Sequence, residues 1–411
     1  MWIYLFYIVA FIMLPNYRVG PLSVRVYISI LMMFVMFINS LRNQQNTYIK
    51  NANKKYIVLY VAFLLFMTIS CLANGEIYEM NYLNLLLGSY LIPLVVYYAT
   101  LYYVRDEKAI KKVVVILGAI VIVDSIVTIL QFYNNPIGWV TAAMFHGGNV
   151  AEWQENVINR FASADSMIGN SYQVGIFAYG FINAAFLCSI PFLFLYPVFN
   201  SKNGQYHWFL KLFCLAAFSI GLIACFMTQQ RAAFIGMCLL LVYLLVKFNK
   251  NKVLTYVIII VGIIIISFNG LSSLQSDSLG RVSSFDGMAN DSRYSIWTRT
   301  VDYLFQHPLW GGHIGLGIDP HNLFLNAFVY GGFFGGVVMS FLVLSFSLDS
   351  LKIIVKKASS FRIFAAGALL VYTFSGLFHN VSIVDGSDLA FLFLALLSLD
   401  NSKYSVLSNH N

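Results

Sequence analysis

Apolar runs long enough to cross a bilayer follow one another along nearly the whole chain, which leaves few folds open. Inside hydrocarbon the backbone has no water to bond, so it must satisfy its own N–H and C=O groups. A spanning helix needs about 20 apolar residues. The runs fall at 1–16, 23–39, 56–73, 82–100, 112–133, 173–197, 207–227, 231–249, 253–268, 321–346, 361–379 and 388–400. Only 10% of the residues are charged and 59% are hydrophobic, whereas soluble domains are about 25% charged. The expectation is an all-α, polytopic membrane protein of about 12 transmembrane helices, with 1–411 forming a single membrane-embedded domain. Residues 1–14 lack a basic start and a small-residue cleavage site, so no cleavable leader is expected. The five cysteines all lie in apolar runs and read as buried small hydrophobes.

Basic residues set the orientation. Lysines cluster at 50–55, 108–112, 202–211, 247–252, 352–357 and 403, between alternate spans. By the positive-inside rule those connections, and both termini, are cytoplasmic. The opposite side carries Arg18, Arg25, Arg160, Arg231, Arg281, Arg293 and Arg299, seven arginines and no lysine. Guanidinium binds phosphate bidentately, whereas lysine is a flexible point charge. The asymmetry points to a phosphate-containing ligand on the outer face. The plainer alternative is that arginines simply populate ordinary outer loops. Short basic clusters between spans give no reason to expect nucleic acid.

Two outer connections are long, 134–171 and 269–320, and long loops in compact proteins are usually functional or disordered. The second contains Tyr294, Trp297, Val301, Leu304 and Phe305 at helical spacing. This predicts an amphipathic helix ended by Pro308 and the Gly311-Gly312 pair. The run Asp319-Pro320-His321-Asn322 predicts the next helix start, with Asp319 as N-cap and Pro320 first in the helix. The glycines at 331, 332, 335 and 336 predict close helix packing.

No metal-ligand spacing, nucleophile elbow or nucleotide-binding loop appears, so neither a metal nor a cofactor is expected. His321 can hold a proton near neutrality, or it can serve only as an interfacial residue packing a helix start. Asp124 is an ionisable group inside an apolar run, which is costly. An arginine partner, an acid–base role and a structural hydrogen bond all fit it. Arg231 alone reads as a snorkelling side chain, and Arg293 alone as a solvated one. It is their combination on one face that suggests a site.

Three stretches together resemble the bacterial O-antigen ligases and Wzy-type O-antigen or capsule polymerases. Thr228-Gln229-Gln230-Arg231 resembles the family's short arginine motif. Arg293, Trp297, His307-Pro308 and Gly311-Gly312 resemble its loop signature, and His321-Asn322 followed by the paired glycines resembles its entry into the next span. The resemblance implies a GT-C-type fold and a metal-independent, inverting glycosyltransferase of the bacterial inner membrane, active at the periplasmic face. Its donor and acceptor would be undecaprenyl-pyrophosphate-linked glycans, with a chain-length regulator and a flippase as further partners. Arg231 and Arg293 would hold the pyrophosphate and His321 would orient or deprotonate the acceptor hydroxyl. Gln230, Asn322, Arg160 and Arg299 would contribute to substrate binding. Polymerisation of lipid-linked repeat units is the leading expectation. Ligation onto lipid A–core is the alternative, and a lipid-linked oligosaccharide flippase or other transporter is the rival of another class.

Overall fold

The computed structural model describes residues 1–14, 17–19, 22–42, 54–75, 82, 86–133, 135–146, 173–177, 180–199, 206–228, 230–248, 292–311, 320–355, 361–378 and 388–399. The described helices are α1 (Trp2–Met13), α2 (Val24–Arg42), α3 (Lys54–Ala73), α4 (Ile92–Tyr103), α5 (Glu107–Phe132), α6 (Pro136–His146) and α7 (Gly180–Ser189). They continue with α8 (Pro191–Phe199), α9 (Trp208–Met227), α10 (Arg231–Phe248), α11 (Ser292–Gln306), α12 (Leu323–Val355), α13 (Phe361–Gly376) and α14 (Asp388–Leu397). A two-strand hairpin, Arg18–Val19 with Leu22–Ser23, precedes α2. The fold is all-α and polytopic, as the apolar runs predict. Among the described residues six helices are long and apolar enough to cross a membrane, and shorter apolar helices accompany them. The expected span at 253–268 lies outside the described residues.

Helices that are apolar all round must be surrounded by protein or by lipid. Accordingly α7, α8, α13 and α14 form the centre of the bundle, with Phe186, Phe192, Phe364 and Phe391 fully buried. Around them α2, α3, α9 and α12 turn Phe37, Leu65, Phe226 and Phe341 outward, as helices facing lipid do. Local signals set several ends. Asp106 caps α5 by accepting from Ala109 N at 2.7 Å. Asn135 accepts from Ile137 N at 3.0 Å and Pro136 opens α6, so the connection read as 134–171 begins with a helix. Trp139, Ala142 and Ala143 of α6 are buried, and Gly138 admits its backbone against Leu130 and Gln131 of α5.

Charge separates the two ends of the bundle. Lys55 and Lys352 both approach Asp349, at 3.8 and 3.7 Å, and Tyr56 donates to the same carboxylate at 2.8 Å. Lys112 lies over Trp2 and Lys111 over Tyr206. Tyr206 meets Tyr196, which packs on Phe361 at the start of α13. These contacts gather the starts of α1, α3, α5 and α13 and the end of α12 at one lysine-bearing end.

The most extensive helix pair is α3 with α12. Gly331 lets the Phe63 ring approach to 3.1 Å of where a Cβ would stand, and Gly335 faces Phe66 at 3.3 Å. Gly332 does something different. Its φ of 62° and ψ of −166° break the helix within its length, and the two limbs fold toward each other. The Phe328 ring lies 2.3 Å from a Cβ built at Gly336, although eight residues of straight helix rise about 12 Å. Residues 333–355 form the limb long enough to span about 30 Å of hydrocarbon, and 323–331 form a separate shorter limb.

The turn at 307–311 sits in that break. Phe333 N donates to Pro308 O at 3.1 Å, and a Cβ at Gly332 would lie 2.1 Å from Leu309 O. Gly311, with φ of 65°, would clash in return with the carbonyls of Phe328 and Val329. Ser70 of α3 donates to Trp310 O.

Gly332→Ala meets both a backbone oxygen and a left-handed φ, so it is expected to destabilise the protein by at least about 3 kcal/mol. Gly75 also has positive φ but open space around it; Gly75→Ala should cost about 1–2 kcal/mol. Thermal unfolding of the two purified variants compares them directly. Equal losses would show that backbone strain, not the docked turn, fixes the requirement for glycine.

Candidate functional site

The end of α9 turns tightly into α10. Thr228 Oγ1 donates to Cys225 O at 2.7 Å and accepts from Gln230 N at 3.5 Å, which leaves Gln230 buried and Arg231 as the first residue of α10. Five residues on, Gly236 lets the Phe374 ring of α13 approach to 2.9 Å of a Cβ position. Just beyond Phe374, Leu377 O accepts from Asn322 Nδ2 at 2.9 Å. The start of α10 and the start of α12 are therefore joined through the end of α13.

Asn322 caps α12, whereas Asp319, the expected cap, lies outside the described residues. Asn322 Oδ1 accepts from both Phe324 N and Leu325 N at 3.0 Å. Helix α12 begins at Leu323, so Pro320 and His321 precede it and do not form its first turn. The physical reason is that Asn322 serves two partners at once, the first turn of α12 and the Leu377 carbonyl. One consequence is that the first N–H groups of α12 already have acceptors, so this helix offers an anion its dipole more than its amides.

His321 is half-buried and has φ of 47°, and it is the non-glycine residue with positive φ among the described residues. Such backbone costs on the order of 1–3 kcal/mol and gathers at functional sites. On its other side, Trp297 Nε1 of α11 donates to Pro320 O at 2.6 Å. Position 293 lies one turn before Trp297 and two before the fully buried Thr300, which places it in register with the packed face of α11. Arg299 falls off that face and is exposed.

The apolar stripe expected on α11 is rotated. Ile296, Trp297, Thr300, Tyr303 and Leu304 lie inward to varying degrees, while Val301 and Phe305 are exposed. Phe305 lies 80% exposed, and in a protein that meets lipid this asks for no buried partner. The Tyr303 ring lies 4.6 Å from that of His307, tilted by 33°, and burial pushes its phenol up from the ordinary range.

The contacts link α10 at Gly236 to Asn322 through the end of α13, and Trp297 of α11 to Pro320 beside His321. For Arg231 and Arg293 the description covers the backbone. Arg160 lies outside the described residues. Asp124 stands elsewhere among hydrogen bonds: it is fully buried, and its Oδ1 accepts from Ile176 N at 2.9 Å. Among the described residues no group of three or more His, Cys, Asp or Glu side chains could hold a metal ion. Sequence reasoning missed Leu309 and Trp310, whose carbonyls seat the end of α11, and Gln131, Gln173 and Asn183, which surround Asp124. The second set left a signal, since Gln131 and Asn183 are amides inside apolar runs.

Residues 216–340 match a family model described as O-antigen ligase. The chain is also 28% identical over 204 residues to the ComP-specific O-oligosaccharyltransferase of Acinetobacter baylyi (strain ATCC 33305 / BD413 / ADP1). That match covers 44% of this chain and 36% of the relative, so the chain spans little more than a third of the length of the curated relative it matches. The matched family region contains Gln230, Arg231, Arg293, Arg299, His321, Asn322 and the kink glycine Gly332. Over residues 216–340 the chain is similar to the O-antigen ligase family.

Proposed function

We propose that this protein transfers a glycan from a lipid pyrophosphate carrier to the hydroxyl of an acceptor molecule, as an O-antigen ligase-type glycosyltransferase. The observation that carries the reading is the family match over the segment holding Arg231, Arg293 and His321. The relative's name, an oligosaccharyltransferase, supports the same reaction class. Both favour transfer to a distinct acceptor over polymerisation of repeat units, the sequence-based expectation. Lipid A–core is the acceptor proposed, and undecaprenyl-pyrophosphate-linked glycan the donor, on the periplasmic side of the inner membrane.

In this reading the acceptor oxygen attacks the anomeric carbon from the face opposite the leaving group, and the configuration inverts. The bond to the lipid pyrophosphate breaks as the new glycosidic bond forms, and the hydroxyl proton passes to His321 or leaves by a path His321 organises. Negative charge grows on the departing pyrophosphate. Arg231 and Arg293 stabilise it, helped by the N-terminal dipoles of α10 and α11. Gln230 and Asn322 shape the turns that present these groups. Arg160 and Arg299 are assigned to the glycan or phosphate at greater distance. Asp124 lies at a buried backbone anchor, which favours a structural role over acid–base work.

Charge-assisted hydrogen bonds contribute about 1.5–3 kcal/mol each, and each 1.36 kcal/mol is tenfold in rate. Arg231→Lys and Arg293→Lys keep the charge but lose the fork, so kcat/KM should fall about 10–100-fold. His321→Ala should fall about 100-fold or more. Single-turnover assays on variants with wild-type unfolding temperature measure both effects; wild-type rates in either arginine variant would remove the pyrophosphate clamp.

The acceptor is tested with purified full chain in lipid, supplied with undecaprenyl-pyrophosphate-linked glycan with and without lipid A–core. Product formed only when lipid A–core is present is the expected result. A ladder of longer glycans formed without it would restore polymerisation as the function.

A further inference from the structure

Beneath the apolar surface of α5 lies a polar cluster with more oxygen atoms than donors. Asp124, Ser125, Thr128, Gln131, Gln173 and Asn183 are all at most 1% exposed. Part of the cluster is well matched. Gln131 exchanges two hydrogen bonds with the backbone of Gly175, and Asn183 Nδ2 donates to Thr128 Oγ1 at 2.9 Å and to Gln173 O at 3.0 Å. The remainder is not. Asp124 Oδ2, Ser125 Oγ, Asn183 Oδ1 and both amide atoms of Gln173 are buried with no hydrogen-bond partner among the described residues. No ion pair reaches Asp124 among the described residues, and Oδ1 has a backbone N–H as its partner.

The groups are concentrated in space. A Cβ built at Gly175, whose φ is 59°, would lie 2.1 Å from Asp124 Oδ1 and 2.7 Å from Asn183 Nδ2. Only glycine lets the 173–177 segment cross between these side chains. Each buried polar group left without a partner costs about 1–3 kcal/mol, and an isolated carboxylate costs far more. Five orphaned atoms lie on four residues of one cluster, and four of the five are oxygens, which call for a species that accepts oxygen ligands together.

We propose that this cluster binds a monovalent cation of sodium size. The donor set is all oxygen: one carboxylate, one hydroxyl and two side-chain amides, the hard ligands that alkali and alkaline-earth cations take. A single carboxylate balances a single positive charge, which argues against a divalent ion. The crowding around Gly175 favours a small ion over a large one. Bound there, the cation ties α5 and α7 to the 173–177 segment. It thereby fixes the backbone that closes the connection carrying Arg160. The inference stands independently of the glycan-transfer reading.

The test is thermal unfolding of the purified full chain in NaCl, LiCl, KCl and N-methylglucamine chloride at equal ionic strength. A ligand bound by the folded state alone raises the unfolding temperature with its concentration. The expected result is a saturable rise of a few degrees in NaCl over N-methylglucamine chloride, smaller in KCl, and absent in Asp124→Asn. Equilibrium dialysis of the wild-type chain with radioactive sodium should give one ion bound per chain, and it stands even if Asp124→Asn does not fold. Equal unfolding temperatures in all four salts with no sodium retained would overturn the proposal, leaving a protonated Asp124. A sodium effect that survives in folded Asp124→Asn would overturn it as well, by placing the ion elsewhere.

Discussion

The docking of the 307–311 turn into the break at Gly332 is the contact on which the described site depends. It sets where α11 ends, and α11 must then lead back along α12 so that Trp297 reaches Pro320 O. The same helix pair is pinned at its far side by Asn322, which bonds the end of α13. With both ends held, the backbone around His321 has little freedom. Its left-handed conformation costs on the order of 1–3 kcal/mol. The Trp297 bond, the two cap bonds of Asn322 and its bond to Leu377 O, each worth about 1 kcal/mol, are sufficient to offset it.

This arrangement needs a firm support beneath it, which the buried helices α7, α8, α13 and α14 provide. Because α13 is packed on all sides, its end at Leu377 is a fixed point to which Asn322 can bond. Because α10 rests on the same helix through Gly236, Arg231 begins its helix next to that point. The lysine-bearing end plays no part in this geometry. Its Asp349 contacts with Lys55, Lys352 and Tyr56 instead hold the far ends of α3 and α12 in register, and so keep Phe63 opposite Gly331.

The helical, membrane-embedded character was legible because long apolar runs admit few other structures. The α9–α10 turn at Arg231 and the amphipathic helix α11 were legible too, one from its short polar interruption and the other from its period and its Pro308 stop. What escaped depends on tertiary partners. Asp319 and Pro320 form a good local helix start, but α12 begins after Asn322, which caps its first turn and also bonds Leu377 O. The stripe through Val301 and Phe305 marked an amphipathic helix but not which apolar residues turn inward, because sequence period cannot distinguish protein from lipid as the apolar neighbour. The four glycines read as one packing surface, whereas the structure divides them. Gly331 and Gly335 admit α3, Gly336 admits Phe328, and Gly332 breaks the helix. Asp124 could be flagged as costly from the sequence, but the segment that meets it lies fifty residues away.

The central claim is that Arg231, from the start of α10, and Arg293, from the start of α11, act on one pyrophosphate. A double-mutant cycle on single-turnover glycan transfer, comparing Arg231→Lys, Arg293→Lys and the double variant, measures this most directly. Residues acting as a unit on one group are strongly non-additive. The account predicts that the double variant is little slower than the slower single variant. Losses that multiply independently would place the two arginines on separate parts of the substrate and contradict it.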